Sequence, residues 1–392
     1  MHTSKNQPRY LVYNRHKELI ASITDHDKAT ITAKWEDIGS GTITIPGTPD
    51  PQLLTAALHV HDEPLLISVY TPSAVPWTGR VSGEYVDDGD GPVLELTLVG
   101  DRIWLDAMLA VANPDVGPSL QDRESDVREG PLETVVKGYL ADAVGRLQVP
   151  VMVVPAAPDD QSPIVELSAR MVTVKALTDD VLKRYGYSIT ARTYRVGDPL
   201  PAGVQVAPEP GTVMLDVVAG RDTGRLLWQQ EHLSTFSVAS TEPKAYRAYI
   251  GGKGEGVARP FSEVIDTDRR AAGANLGLPE IFVEANDENV DPLDAGRTAL
   301  AAAAGGLSVN FTVVDGKPWF LGTDWELGHF AYARIAGQVF RAQITEVEMR
   351  DDAGATITYT PTCGSAAPGR PTAVADAVAR LAAQIRNQNA RR

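Results

Sequence analysis

The stretch IGGKGEG, Ile250 to Gly256, sets four glycines within six positions behind an apparent strand. Such a run could hold a phosphate, because glycine lets backbone N–H groups converge on an anion and clears room for it. The spacing fails both phosphate fingerprints. A G-x-G-x-x-G frame begun at Gly252 would need glycine where Val257 stands, and no Gly-Lys-Ser/Thr ending follows. The next residues, VARPF, read as a strand and not as a helix whose N-terminus could face an anion. The pattern therefore predicts a tight hairpin or bulge, with Gly251, Gly252, Gly254 and Gly256 as turn residues and no bound cofactor.

HVHD places His59 and His61 two residues apart. On an extended strand both rings would share one face, as metal ligands do, and Asp62 or Glu63 could add an oxygen. Of the seven histidines in the chain none of the other five sits in a ligand motif, so a structural or exposed pair is the better reading and no metal site is expected. DENVD, Asp287 to Asp291, begins like a calcium loop, but Pro292 stands in place of its glycine and Thr298 in place of its bidentate glutamate. Helix capping by Asp291 accounts for it better. Hydrolysis needs a positioned nucleophile or a carboxylate pair, and 51 acidic residues make chance pairs inevitable. No G-x-S-x-G or H-E-x-x-H is present, so no catalytic residues are expected.

The elements that would have to position any such site belong to an ordinary globular chain. Its 392 residues leave room for roughly two to four domains, and 43% hydrophobic with 22% charged residues argues against disorder. Cys363 is the single cysteine, which excludes an internal disulfide and every cysteine-based zinc site. There is no apolar run of about 18 residues, and MHTSKNQPRYLVYN lacks the apolar core of a signal peptide, so neither membrane insertion nor general export is expected. A net charge of −15 argues against wrapping nucleic acid yet suits DNA that passes without sticking.

YLVY, ELIASI, ATITAKW, GTITIP, LLISVY, TGRVSGEYV and PVLELTLVG are seven candidate strands with helix scarce among them, the spacing of an all-β barrel or sandwich. GDRIWLDAML then reads as a helix entry behind Asp101, and SLQDRESDVREG as an exposed charged loop. PLETVVKGYLADAV carries Leu132, Val135, Val136, Tyr139 and Leu140 at helical spacing after Pro131. VKALTDDVLKRYG reads as a second helix ending at Gly186 before the strand YSITAR. From about Gly211 strands return, PWFLG among them, interrupted by one helix in NVDPLDAGRTALAAAAG. The predicted class is mainly β with an α+β insert: a β-barrel domain at 1–110, an α+β domain with the charged loop at 111–210, a second β-rich domain at 211–361, and a linker with a C-terminal helix at 362–392.

Several segments in order, KWEDIGSGTITIP, LLISVYTPSAVPWTGRVSG, LELTLVGDRIWLDAML, VVAGRDTGRLLW, AYIGGKGEGVARPF, EIFVEANDENVDPLDAGRTAL and WELGHFAYARI, give the chain a family likeness over about residues 8 to 361. It resembles the minor tail proteins, or baseplate hubs, of long non-contractile-tailed (siphovirus) phages of actinobacteria. It departs from them at His329, where such proteins often carry an aspartate. The resemblance implies a multidomain tail-hub architecture with two tail-tube-like β-barrel modules, a homotrimeric ring at the tail tip, and no reaction. It further implies contacts with the distal tail protein, the tape measure protein and other tail-tip proteins, assembly in the host cytoplasm, and roles in host attachment and genome ejection. The rival readings are a tail-associated peptidoglycan-degrading lysin and a carbohydrate-binding adhesin. The adhesin would need exposed aromatic platforms, and the aromatic 6% of the chain falls mostly inside strand patterns.

The chain ends in TAVADAVARLAAQIRNQNARR, where Thr372 can cap a helix. Val374, Val378, Leu381 and Ile385 are spaced 4, 3 and 4, a short apolar seam of about two heptads that is too brief to be stable alone and so calls for a partner. Five arginines against one aspartate after Cys363 make this end basic on an acidic chain.

Overall fold

The computed structural model describes residues 8–73, 75–87, 91–267, 270, 280–285, 292–313 and 318–364. The chain divides into two units, residues 1–236 with 310–367 and residues 237–309 with 368–392.

The first unit begins with β1 (Arg9–Tyr13), β2 (Leu19–Ile23), β3 (Lys28–Lys34), β4 (Ser40–Pro46), α1 (Pro51–Leu58), β5 (Leu65–Tyr70), β6 (Trp77–Asp87) and β7 (Pro92–Gly100). All seven strands read from this region form, and their alternation is the cause. In β7, Leu94, Leu96 and Leu98 are buried while Glu95 and Thr97 face outward. Helix α1 is an addition to the sequence reading. Its signal was present: Asp50 accepts from the backbone N–H groups of Gln52 and Leu53, Pro51 opens the first turn, and Leu53 and Ala57 are buried.

An insert follows: α2 (Trp104–Ala107), β8 (Leu109–Ala110), β9 (Asp126–Pro131), α3 (Leu132–Leu147), β10 (Val151–Val153), β11 (Ile164–Ala169), β12 (Val172–Thr173), α4 (Val174–Tyr185), β13 (Tyr187–Thr193) and β14 (Val213–Ala219). Helix α3 buries the five apolar residues its spacing predicted, although Pro131 stands at the cap and not inside the first turn. Helix α4 is capped by Thr173 and stops at Gly186. Both pack with Met108, Ile189, Leu215 and Val217 into one core. The charged stretch is not wholly a loop, because Asp126–Pro131 pairs antiparallel with β11, an edge pairing that needs no apolar face.

The remaining elements are β15 (Asp222–Gln229), β16 (Leu233–Thr241), β17 (Arg247–Gly251), β18 (Phe261–Ile265), β19 (Glu280–Glu284), α5 (Pro292–Ala302), β20 (Gly306–Val313), β21 (Phe330–Ile335), β22 (Gln338–Asp352) and β23 (Thr358–Gly364). PWFLG forms no strand; its residues enter a turn closed by a bridge between Leu321 and Trp325.

Thirteen strands join in one sheet, ordered β16-β20-β23-β22-β3-β4-β7-β6-β5-β1-β2, with β21 on β22 and β15 on β21. The spine is β22. Residues 338–343 pair with β21, the register shifts between Ile344 and Glu346, and residues 346–352 pair with β3. Strands from the two ends of the chain thus share a sheet whose order is open, from β16 to β2. The mainly β fold stands, but no closed barrel exists among the described residues, which corrects the expectation of two barrel modules. The reason is that ladder hydrogen bonds are indifferent to separation along the chain, so Glu346 pairs with Lys34 as readily as a hairpin closes.

Candidate docking surface

The second unit carries the surface most suited to holding a partner. Strands β17, β18 and β19 form a three-stranded sheet, β18 antiparallel and β19 parallel to β17. Alternation gives it two unlike faces. Ala248 and Ile250 point inward with Val264, Ile281 and Val283, and with Leu300 and Ala303 they make the core of this unit. The opposite face presents Tyr249, Phe261 and Phe282, which are 36%, 62% and 54% exposed. Large apolar side chains are rarely left in such groups without a use. The rings of Phe261 and Phe282 lie 6.4 Å apart, and Tyr249 pairs directly with Phe282 in register. The sequence reading placed aromatics inside strand patterns; here an exposed aromatic platform does exist.

Charged residues rim the rings. Arg247 donates to the Tyr249 hydroxyl (3.0 Å), stacks over its ring at 5.6 Å, and pairs with Glu280 (3.3 Å) and Glu263 (3.7 Å). Arg259 lies 5.7 Å and 5.6 Å from the ring centres of Phe261 and Phe282 and pairs with Glu284.

The glycine run belongs to this arrangement. Gly251 ends β17 opposite Phe261, and the chain returns through a short turn of helix at Gly256–Ala258. Arg259 donates from Nε to the Gly252 carbonyl (2.9 Å) and from Nη2 to the Gly251 carbonyl (3.1 Å). A Cβ on Gly251 would stand 2.5 Å from that guanidinium and 2.8 Å from the Phe282 ring, so a larger residue there would displace the arginine from the two carbonyls. The loop therefore turns carbonyl oxygens toward a cation, the reverse of a phosphate cradle. Gly254 (φ +138°) and Gly256 (φ +58°) hold positive φ, whereas Gly252 donates its N–H to the Pro260 carbonyl (2.9 Å).

A second constellation, buried in the first unit, escaped the sequence reading. Asp101 does not cap a helix by its side chain. It is fully buried, and its Oδ2 accepts from the hydroxyls of Thr78 and Thr193, each at 2.6 Å. Burial pushes its carboxyl above the usual aspartate range, against the lowering effect of the Thr193 and Thr78 hydrogen bonds. The neighbouring Arg102 is also buried. Its Nη1 donates to the Trp35 carbonyl (3.0 Å), the Ser188 hydroxyl (2.7 Å) and the Ile189 carbonyl, its Nη2 to the Glu36 carbonyl (3.2 Å), and Asp179 lies 3.7 Å away. Asp101 thus ties β13 to β6, and Arg102 ties β13 and α4 of the insert to the end of β3. The signal available in sequence was two adjacent charges, Asp101-Arg102, directly before the apolar Ile103 and Trp104.

The other candidate residues do not converge on chemistry. His59 is the C-terminal cap of α1 and His61 lies in the turn after it, so they are not on a strand as the metal reading required. Their rings stack at 5.9 Å, with His59 Nδ1 at 2.8 Å from the Thr55 carbonyl and His61 at 3.1 Å from Asp62. Among the described residues no group of three or more His, Cys, Asp or Glu side chains could hold a metal ion. Cys363 is buried in β23, and burial pushes its thiol up. Burial and the nearby Arg221 hold the His329 ring below the usual histidine value, and its Nδ1 accepts from the Glu326 N–H (3.3 Å). Asp291 and the seam residues Val374, Val378, Leu381 and Ile385 lie outside the described residues. Among the described residues no helix is long and apolar enough to cross a membrane.

A family model described as Siphovirus ReqiPepy6 Gp37-like protein matches residues 9–365. No curated protein matches the sequence. The fold is similar to that of the 43 kDa tail protein of prophage MuSo2 from Shewanella oneidensis, at 12% identity and a TM-score of 0.51, covering 94% of this chain and 99% of that one. It is similar also to prophage tail protein gp18 from Listeria monocytogenes EGD-e, at 10% identity and a TM-score of 0.52, covering 95% and 99%. A tail protein from Neisseria meningitidis MC58 matches at 13% identity and a TM-score of 0.50, covering 91% and 96%.

Proposed function

Because the chain belongs to the siphovirus family described as ReqiPepy6 Gp37-like protein and has a phage tail-protein fold, we propose that it is a structural virion protein, the hub at the distal end of the tail. The observation that carries this reading is the extent of the likeness: the tail-protein fold runs along 94% of the chain and 99% of its counterpart, so the described strands belong to that frame.

In this reading three copies form a ring that joins the tail tube to the adsorption proteins and gates the passage of tape measure and DNA. The segments 1–110 and 211–361 act as tube-like modules, 111–210 and 362–392 as the parts that meet neighbours. Neighbouring copies, and not barrels within one chain, complete the wall around the channel. Its partners are other copies of itself, the distal tail protein, the tape measure protein and further tail-tip proteins, with assembly in the host cytoplasm. The charge of −15 supports a conduit from which DNA is repelled and along which it slides. The seam Val374, Val378, Leu381 and Ile385 serves as a partner-binding element.

The test is the solution mass of the full-length protein with electron microscopy, and labelled antibody on intact virions. Three-copy rings and label at the tail tip are expected; label along the tail shaft or on the capsid would refute the hub. Zymography on host cell walls addresses the lysin, for which no clearing is expected. The exposed Tyr249, Phe261 and Phe282 give the adhesin reading a specific surface, and glycan binding abolished by Phe261→Ser with Phe282→Ser would favour it.

A further inference from the structure

Among the described residues one sheet face of the second unit is left uncovered, and we infer that its occupant is the C-terminal segment of this chain, residues 372–392, from the same or a neighbouring copy. The inference rests on the reading of that segment as a partner-binding helix and names the surface it binds.

Three properties match. The first is length. Strands β17, β18 and β19 are five residues each, about 17 Å at the usual rise of a strand. The seam from Val374 to Ile385 spans about 17 Å as a helix. The inner face of the same sheet already packs α5, a helix of 11 residues, so the sheet has the dimensions to seat a second one and become a three-layer unit. The second is apolar chemistry. The bare face offers the three rings of Tyr249, Phe261 and Phe282, while the segment offers four aliphatic residues on one stripe. The third is charge. The face carries Glu263, Glu280 and Glu284 against Arg247 and Arg259, and residues 372–392 carry four arginines against one aspartate. A neutral sugar would stack on the rings but would leave the aliphatic seam unmatched.

The test uses the full-length protein, whose native Cys363 is buried and so leaves engineered thiols to report alone. Phe282→Cys combined with Leu381→Cys is oxidised under mild conditions and compared with Phe282→Cys combined with Ala383→Cys, a position that helical spacing would turn away from the seam. The seam pair should form its disulfide about tenfold more than the control, because docking sets a high effective concentration. A link within one chain places the segment on its own sheet, a link between chains on a neighbour's, and either supports the inference. Self-linking of Leu381→Cys between copies with Phe282→Cys left reduced overturns it while leaving the hub reading intact, and so does a yield equal to the control. Should the cysteine variants fail to fold, hydrogen exchange decides: Leu381→Asp with Ile385→Asp should speed exchange in β17–β19, and unchanged exchange there refutes docking.

Discussion

Arg102 is a buried cation whose two terminal nitrogens reach two carbonyls of the β3 end, a hydroxyl and a carbonyl of β13, with Asp179 nearby, while its buried Nε–H finds no acceptor. Removing one member of such a set strands the others without solvent, which costs about 3–5 kcal/mol. Arg102→Ala should therefore lower unfolding stability by about that amount in a denaturant titration, and Arg102→Lys should not restore it, because an ammonium cannot span the same acceptors. A loss below about 1 kcal/mol would show that the lock is solvated. Asp101 makes a separate pH prediction. Burial raises its folded pKa above its unfolded one, so the folded state holds the proton more tightly. Stability is then greatest below the unfolded value and declines as pH rises from there toward the raised folded value. Asp101→Asn should flatten that decline above about pH 4, read from melting temperatures, and an unchanged slope would place the titrating group elsewhere.

At the scale of elements, β17, the glycine turn and β18 act as one hairpin clamped by Arg259. Gly254 sits at φ +138°, where a side chain is strained by roughly 1–3 kcal/mol. Alanine at Gly252 meets the Pro260 ring at 3.0 Å, a lesser contact that a small shift relieves. The double change Gly252→Ala with Gly254→Ala should leave the chain folded by circular dichroism but reduce ring assembly more than it reduces the melting midpoint. Equal loss of both would mean that the turn matters only for folding. The helices tell the complementary story. In α3 the buried Leu140 is one of five apolar residues on a single stripe, and Leu140→Ala should cost about 2–5 kcal/mol through lost contacts and the cavity left behind, measured by denaturant midpoint.

For the whole molecule, the prediction concerns association and not folding. Leu381→Asp with Ile385→Asp places two carboxylates on the seam of the basic C-terminal segment. It should leave the strand-rich units folded by circular dichroism and lower self-association or incorporation into tails, read by sedimentation and by virion assembly. Normal assembly of that variant would retire the seam as an element that joins one copy or tail protein to another. Raising salt should weaken the same association, because an arginine-rich segment on a chain of net charge −15 is held partly by screened charge.

What the sequence determined by itself was local. The strands β1 to β7 were legible because alternation at period two is written in each segment, and α3 and α4 because their stripes and the stop at Gly186 lie within a few residues of one another. Helix α1 was equally local, and the Asp50-Pro51 start could have revealed it. What only the tertiary structure decided was pairing and exposure. Nothing in KATITAK names β22 as its neighbour, since every strand offers the same backbone donors and acceptors, so an open sheet replaced the expected barrels. Asp126–Pro131 became a strand only because β11 lies beside it. Tyr249, Phe261 and Phe282 look like core residues in sequence, and which face of β17–β19 is covered depends on where α5 packs. Burial is a property of the neighbours a residue meets, and those are brought from distant parts of the chain.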